Sequence, residues 1–198
     1  MKRFISLFLI VLMFCAVISV GCGGGGSDDP KQSEQFTNDI GEDTGEYDPN
    51  GEGRGTSGRV INLSTITADY TAQDGEVLTG NLAAMAKISI ADGATVTLKN
   101  VHINGYNSIS YKFAGLNCAG DATIILEGRN DIKGFYEKYP GIYVYEGSTL
   151  TINGNGSLNA SSNGYAAGIG GGYEIPFGTI VIDGGTIDAK GGYGAAGI

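Results

Sequence analysis

The feature that most constrains this chain is an internal repeat of about 27 residues that occurs four times. Segments of alternating apolar and polar residues begin 28, 26 and 30 residues apart, at 94–98, 122–126, 148–152 and 178–182. A second motif keeps step with them, a glycine preceded by Ala or Pro and followed by Leu or Ile, at Gly115, Gly141, Gly168 and Gly197. Two motifs that keep the same period over four copies indicate a solenoid of stacked units.

Each repeat contains three short stretches in which every second residue is apolar, which is typical of strands with one buried face. Equivalent residues return only once per repeat, so we predict an all-β, right-handed parallel β-helix of about 27 residues per coil, with coils about 4.8 Å apart. The 35 glycines suit the corners of such a coil. An antiparallel β-sandwich would share the alternation and is the alternative fold.

The repeat also predicts which side chains share a row. Two inward rows are expected, Val96, Ile124, Leu150 and Ile180, and two residues later Leu98, Leu126, Ile152 and Ile182. A third stretch contributes Ile103, Ile132, Leu158 and Ile187. Cys118 is expected to be a small core residue. Two outward rows mix charges and amides, Lys99, Glu127, Asn153 and Asp183, and Asn104, Lys133, Asn159 and Asp188. Mixed rows favour a solvated face over an active site.

The N-terminal residues predict export and lipid anchoring. Lys2 and Arg3 precede an apolar run up to Val20, and Gly21 and Cys22 follow, as in a lipoprotein signal peptide over residues 1–21. Cys22 is the predicted lipidation site, so we expect a cell-envelope protein anchored at the outer membrane and exposed at the surface. A plain signal peptide with a chance cysteine is the alternative.

Composition divides the rest of the chain into a linker and a domain. Residues 22–58 are acidic, rich in glycine and poor in apolar side chains, which predicts a disordered, flexible linker. Residues 59–198 form the predicted β-helix domain, with an atypical first coil over residues 59–86. The sequence stops in mid-coil at Ile198, so we expect the domain to be truncated.

Charge and rare residues narrow the function classes. The formal net charge of −9 argues against nucleic acid as a partner. His102 is the sole histidine and Cys118 is the sole cysteine of the predicted domain, so a zinc site is not expected.

Aromatic residues gather near the motif glycines and suggest a ligand. Tyr136, Tyr139, Tyr165 and Tyr173 are predicted to stand in a column, one per coil, that binds the flat faces of sugar rings. The alternative is that these rings pack the loops onto the coil. Asp121, Asp131 and Asp183 are weak candidates for calcium binding. Paired carboxylates are not evident, which favours a binding module over an enzyme.

The chain resembles a family in the segments 94–101, 150–158 and 165–172, where short Thr- and Ile-rich strands alternate with Gly- and Asn-rich turns. They are similar to carbohydrate-binding β-helix domains of bacterial surface proteins and to Gly-rich repeat lipoproteins of Bacteroidetes. The resemblance implies polysaccharide binding or adhesion at a bacterial surface, with calcium in some cases, and it transfers no catalytic residue. A polysaccharide lyase or glycoside hydrolase and a purely structural stalk are the alternative functions.

Overall fold

The structure is a computed structural model that describes residues 58–198. Within that range the regular structure is fourteen β-strands and one short 3-10 turn, Leu63–Thr65, with no α-helix. The predicted signal peptide, Cys22 and the linker up to residue 57 lie outside the described residues.

The strands form a parallel β-solenoid of about 28 residues per turn, which confirms the predicted fold class. One set of strands makes a five-stranded parallel sheet, here called the short-strand face. Its members are β2 (Tyr70–Ala72), β4 (Ile88–Ile90), β6 (Leu116–Cys118), β9 (Ile142–Val144) and β12 (Ile169–Gly170).

A second sheet supplies two further faces because its central strand is long enough to serve both. That strand is β5 (Ala94–Asn104), and it follows β1 (Val60–Asn62) and β3 (Val77–Asn81). Its first half begins the threonine face, which continues through β7 (Ala122–Glu127), β10 (Thr149–Gly154) and β13 (Thr179–Ile182). Its second half begins the polar face, which continues through β8 (Arg129–Lys133), β11 (Ser157–Ser161) and β14 (Thr186–Lys190).

The two halves of β5 meet at Asn100, whose φ of 54° lies in the left-handed region. The next turn makes the same bend at Gly128, with φ of 63°, and Arg129 N donates to Asn100 Oδ1 at 3.1 Å. A side chain at Gly128 would collide with the Asn100 side chain. The corner therefore needs an asparagine in one turn, at Asn100, and a glycine in the next turn, at Gly128.

The core lies inside the coils, where the alternation predicts it. Leu98, Ile124 and Ile152 are fully buried. Cys118 pairs with Ile90 and Val144 in the short-strand face, and burial raises the pKa of its thiol to about 12. Ile182 is the exception, because it is 44% exposed on β13, an edge strand that no further strand covers among the described residues.

The first described turns are shorter than the later ones, since Val60 pairs with Val77 and Val77 pairs with Thr97. Their interior holds a buried carboxylate, Glu76, which accepts hydrogen bonds from Arg59 Nη1 at 3.1 Å and from the Tyr70 hydroxyl at 2.7 Å. Burial, then the hydrogen bond to Glu76, raises the pKa of Tyr70 to about 12. The paired carboxylate closes this end of the apolar core without an unpartnered charge.

The predicted register is wrong by two residues between the second and third sequence repeats, that is, between β7 and β10. Leu150 pairs with Ala122 rather than with Ile124, and Ile152 pairs with Ile124. The Asp121 carboxylate accounts for this alignment, because its Oδ1 accepts a hydrogen bond from Thr149 N at 2.7 Å. A shift of two residues keeps every side chain on its predicted face, since side chains alternate with period two.

The same shift pairs Leu158 with Asn130, a polar residue that faces the core two residues before Ile132. Asn130 is fully buried, and its Oδ1 accepts from Val101 N at 2.9 Å. Its Nδ2 donates to Glu127 O and Ser157 O, both at 3.2 Å. One side chain therefore bonds the backbones of three successive turns, which no apolar residue could do.

The shift also changes the predicted outward row of Asn104, Lys133, Asn159 and Asp188. The structure splits these four residues between two rows of the polar face. One row is His102, Asp131, Asn159 and Asp188, and the other is Asn104, Lys133, Ser161 and Lys190. His102 and Asp131 are neighbours, as the predicted alignment of Ile103 with Ile132 requires, and the shift adds Asn159 on the other side of Asp131.

Candidate functional site

The loops that lead from the polar face to the short-strand face carry most of the aromatic residues within residues 58–198. They span residues 105–115, 134–141 and 162–168 and stack on one another through backbone hydrogen bonds. Ser108 N donates to Phe135 O at 3.0 Å, and Tyr165 N donates to Glu137 O at 2.6 Å. The loops thus continue the regular stacking of the coils and hold their side chains in fixed positions relative to one another.

Some of these rings pack the loops onto the coil, as the alternative interpretation of the aromatic residues states. Phe135 is 2% exposed, and its ring centroid lies 4.7 Å from that of Phe113. Tyr111 contacts Phe113 edge to face at 6.1 Å. These three rings form a packed interior that offers little area to a ligand.

Three other tyrosines form an exposed group, here called the tyrosine cluster. The ring of Tyr165 lies between those of Tyr173 and Tyr193, at centroid distances of 5.8 and 6.3 Å, with both contacts edge to face. Tyr165 and Tyr173 are 44% and 41% exposed. With Lys138 and Gly194, the cluster lines an open cavity of about 570 Å³.

Lys138 fixes the position of one ring of the cluster. Its Nζ lies 5.3 Å from the centroid of the Tyr173 ring, and its carbonyl accepts a hydrogen bond from Tyr173 N at 3.0 Å. A cation over an aromatic face is attracted to it. The cavity therefore combines aromatic surface, phenol hydroxyls and one ammonium group.

The four tyrosines predicted from the sequence do not stand in one column. Tyr136 and Tyr139 pair at 6.4 Å and are half-buried, and among the described residues no ring contact joins them to the tyrosine cluster. Tyr173 lies after β12, in the same turn as Tyr165, so the expectation of one tyrosine per coil is wrong for it. Tyr193, outside the predicted four, precedes Gly197 as Tyr165 precedes Gly168, so the repeat itself carried the signal for it.

The candidate calcium ligands lie on different elements. Asp121 immediately precedes β7, Asp131 belongs to β8 and Asp183 follows β13. Within residues 58–198, no group of three or more His, Cys, Asp or Glu side chains could hold a metal ion. Calcium binding at these aspartates stays a prediction from the sequence.

Asp131 instead anchors a network of donors on the polar face. Its Oδ1 accepts from Asn159 Nδ2 at 2.8 Å, and its Oδ2 accepts from Arg129 Nε at 3.1 Å. The hydrogen bond from Asn159, together with Arg129 and the nearby His102, holds the pKa of Asp131 below its ordinary value against the effect of burial. His102 Nδ1 lies 3.9 Å from Asp131 Oδ2. The carboxylate therefore stays charged and orders the side chains around it.

Two further results concern membrane-spanning helices and similarity to known proteins. None of the helical structure within residues 58–198 is long and apolar enough to span a lipid bilayer. Comparison with protein families, curated proteins and solved structures finds no match to this chain.

Proposed function

We propose that this chain is a cell-surface lipoprotein whose β-solenoid binds polysaccharide through the tyrosine cluster. The observation that carries the proposal is the set of three exposed rings around one open cavity, in which Tyr165 contacts both Tyr173 and Tyr193. Large rings that a fold leaves in solvent and holds by loop stacking favour a binding surface over loop packing. Packing accounts for Phe113 and Phe135, which are turned inward, and it does not account for Tyr165 or Tyr193.

Sugar rings suit this surface on physical grounds. The face of a pyranose ring presents C–H groups that stack on an aromatic ring, while its hydroxyls need hydrogen-bonding partners. Each tyrosine supplies both an apolar face and a hydroxyl, and Lys138 adds a further donor. A shallow, open cavity gives few contacts to one sugar, so the proposal favours a polymer that reaches several rings.

Removal of the tyrosine cluster is expected to abolish glycan binding. Each stacked ring contributes on the order of 1 kcal/mol, so Tyr165→Ala alone should weaken binding about fivefold, and the triple Ala variant with Tyr173 and Tyr193 should lose it. The measurement is retention on insoluble polysaccharides and affinity electrophoresis in soluble ones. Tyr145→Ala is the matched control, because Tyr145 is 39% exposed and contacts Tyr143 on another part of the surface.

The outcome separates the three function classes. Binding by the parent chain that survives in Tyr145→Ala and fails in the triple variant supports the proposal. Equal binding by the triple variant would place the glycan elsewhere, and absence of binding to any polysaccharide would favour a structural stalk. Release of reducing sugar or of unsaturated products during the incubation would favour a hydrolase or a lyase.

The surface location in the proposal depends on Cys22. A linker over residues 23–58, if flexible, has an r.m.s. reach of roughly 30–36 Å, enough to hold the solenoid clear of a bilayer. We expect Cys22→Ser to move the protein from the detergent phase to the soluble fraction, because the diacylglyceryl group would have no thiol to attach to.

The control for that experiment is Cys15→Ser, which removes the cysteine inside the predicted signal peptide. The Cys15 variant should stay in the detergent phase, as the parent does. Detergent partitioning of Cys22→Ser that matches the parent would show that the chain is not lipidated at Cys22.

A further inference from the structure

The polar face contains a second cavity, whose lining is polar and charged where that of the tyrosine cluster is mainly aromatic. It has a volume of about 210 Å³ and is lined mainly by polar side chains of β8, its neighbour β11 and the second half of β5. Those that matter to the argument are His102, Arg129, Asp131, Lys133, Asn159 and Ser161.

The side chains that line this cavity offer more hydrogen-bond donors than acceptors. Asp131 is the one carboxylate in its lining, and Asn159 and Arg129 already donate to both of its oxygens. Arg129 uses Nε and Nη2 for this purpose, which leaves Nη1 for a ligand, and its side chain is 73% exposed. Within residues 58–198, Lys133 forms no ion pair. The cavity therefore offers unneutralised positive charge on a chain whose formal net charge is −9.

The row that contains Lys133 includes a second lysine, Lys190. Ser161 pairs with both Lys133 and Lys190, so the two lysines are two strands apart. At the ordinary spacing of adjacent strands, this separation is about 10 Å. Lys190 forms an ion pair with Asp188 at 3.3 Å, so Lys133 is the lysine of this row whose charge is not offset by a carboxylate. One strand spacing is close to the length of one sugar residue, so an acidic glycan that runs along the solenoid brings a carboxylate within reach of Lys133.

The cavity also adjoins the loop that serves the tyrosine cluster. β8 ends at Lys133, and the loop over residues 134–141, which carries Lys138, follows directly. Lys133 and Lys138 are therefore five residues apart on one stretch of chain, with Glu137 between them in sequence. A polymer that reaches both the cluster and the cavity gains contacts at two sites, whereas a small free anion occupies one of them.

We infer that this cavity binds the carboxylate groups of an acidic polysaccharide, a polyuronate, with Lys133 and Arg129 as the charged donors. The inference rests on the proposed function and names the class of glycan that the protein takes. Asp131 acts as a positioning residue, since it holds Arg129 and Asn159 in place and does not contact the ligand.

The test compares polygalacturonate with its fully methyl-esterified, neutral form on the full chain. The parent should bind the acidic polymer more tightly, with an affinity that falls as salt is added. Lys133→Gln should weaken binding of the acidic polymer about three- to fivefold and leave binding of the ester unchanged. Lys87→Gln is the matched control, because Lys87 is also half-buried and precedes β4 of the short-strand face.

The results distinguish this inference from the proposed function. Equal affinity of the parent for the acid and the ester, or equal losses in Lys133→Gln and Lys87→Gln, would overturn the polyuronate site while leaving neutral glycan binding intact. Galacturonate monomer that binds as tightly as the polymer would also overturn it. Failure of both polymers to bind the parent would overturn the proposed function, and the polyuronate site with it.

Discussion

Ile152→Asp should unfold the central turns of the solenoid. Ile152 is fully buried on β10 and stands between Ile124 of β7 and Ile182 of β13. An aspartate there would remove an apolar side chain from the core and place a carboxylate where no donor is available. The expected loss is on the order of 3–5 kcal/mol, comparable with the whole stability of a small domain. Thermal unfolding followed by circular dichroism measures it.

Thr151→Asp is the control for this prediction. Thr151 precedes Ile152 on the same strand and is half-exposed in the outward row with Thr95 and Thr123. A carboxylate at this position stays in water, so its effect should be within about 1 kcal/mol. Similar melting temperatures for the two variants would mean that the inward and outward faces of β10 are misassigned.

Asn130→Ala should destabilise the turns that its side chain joins. It would leave the amide of Val101 and the carbonyls of Glu127 and Ser157 without the partners they now have. A buried backbone group that loses its hydrogen bond costs about 1–3 kcal/mol, so a total of about 3 kcal/mol or more is expected. Chemical denaturation gives the free energy, and hydrogen exchange of the Val101 amide reports the local effect.

Asn155→Ala controls for the loss of an asparagine from the same region. The side chain of Asn155 is exposed in the turn between β10 and β11, so its removal should change stability by a few tenths of a kcal/mol. If the Asn130 variant is as stable as the Asn155 variant, the amide of Asn130 does not hold the turns together. Retained stability with fast exchange at Val101 would instead show that water replaces the side chain.

The sequence determined the fold class and the direction of the side chains. Two motifs that recur in step cannot be satisfied by a single hairpin, because their equivalent residues meet only when one repeat lies on the next. The alternation then assigns each residue to the core or the surface without further information. Val96, Leu126 and Cys118 are buried as that rule requires, while His102 is exposed.

Only the tertiary structure decided the register and, with it, the surface chemistry. A slip of two residues preserves the alternation, so hydrophobic pattern alone does not distinguish the two alignments. The hydrogen bonds of Asp121 to Thr149 and of Asn130 to three backbones do distinguish them, and both join residues far apart in sequence. Their choice moved Asn159 from Lys133 to Asp131 and so set the lining of the polar-face cavity, whereas the pairing of Asp131 with His102 follows from the predicted alignment.

The tyrosine cluster shows the same division. The period of the repeat predicts that Tyr165 and Tyr193 occupy equivalent loops, because each precedes a motif glycine at a similar distance. Nothing in the period places Tyr173 against Tyr165, since Tyr173 belongs to a different part of the turn. That contact depends on a backbone hydrogen bond from Tyr173 to Lys138, across 35 residues of chain, and on the cation over its ring. Periodic sequence determines what stacks on what, whereas irregular loops meet where particular hydrogen bonds bring them together.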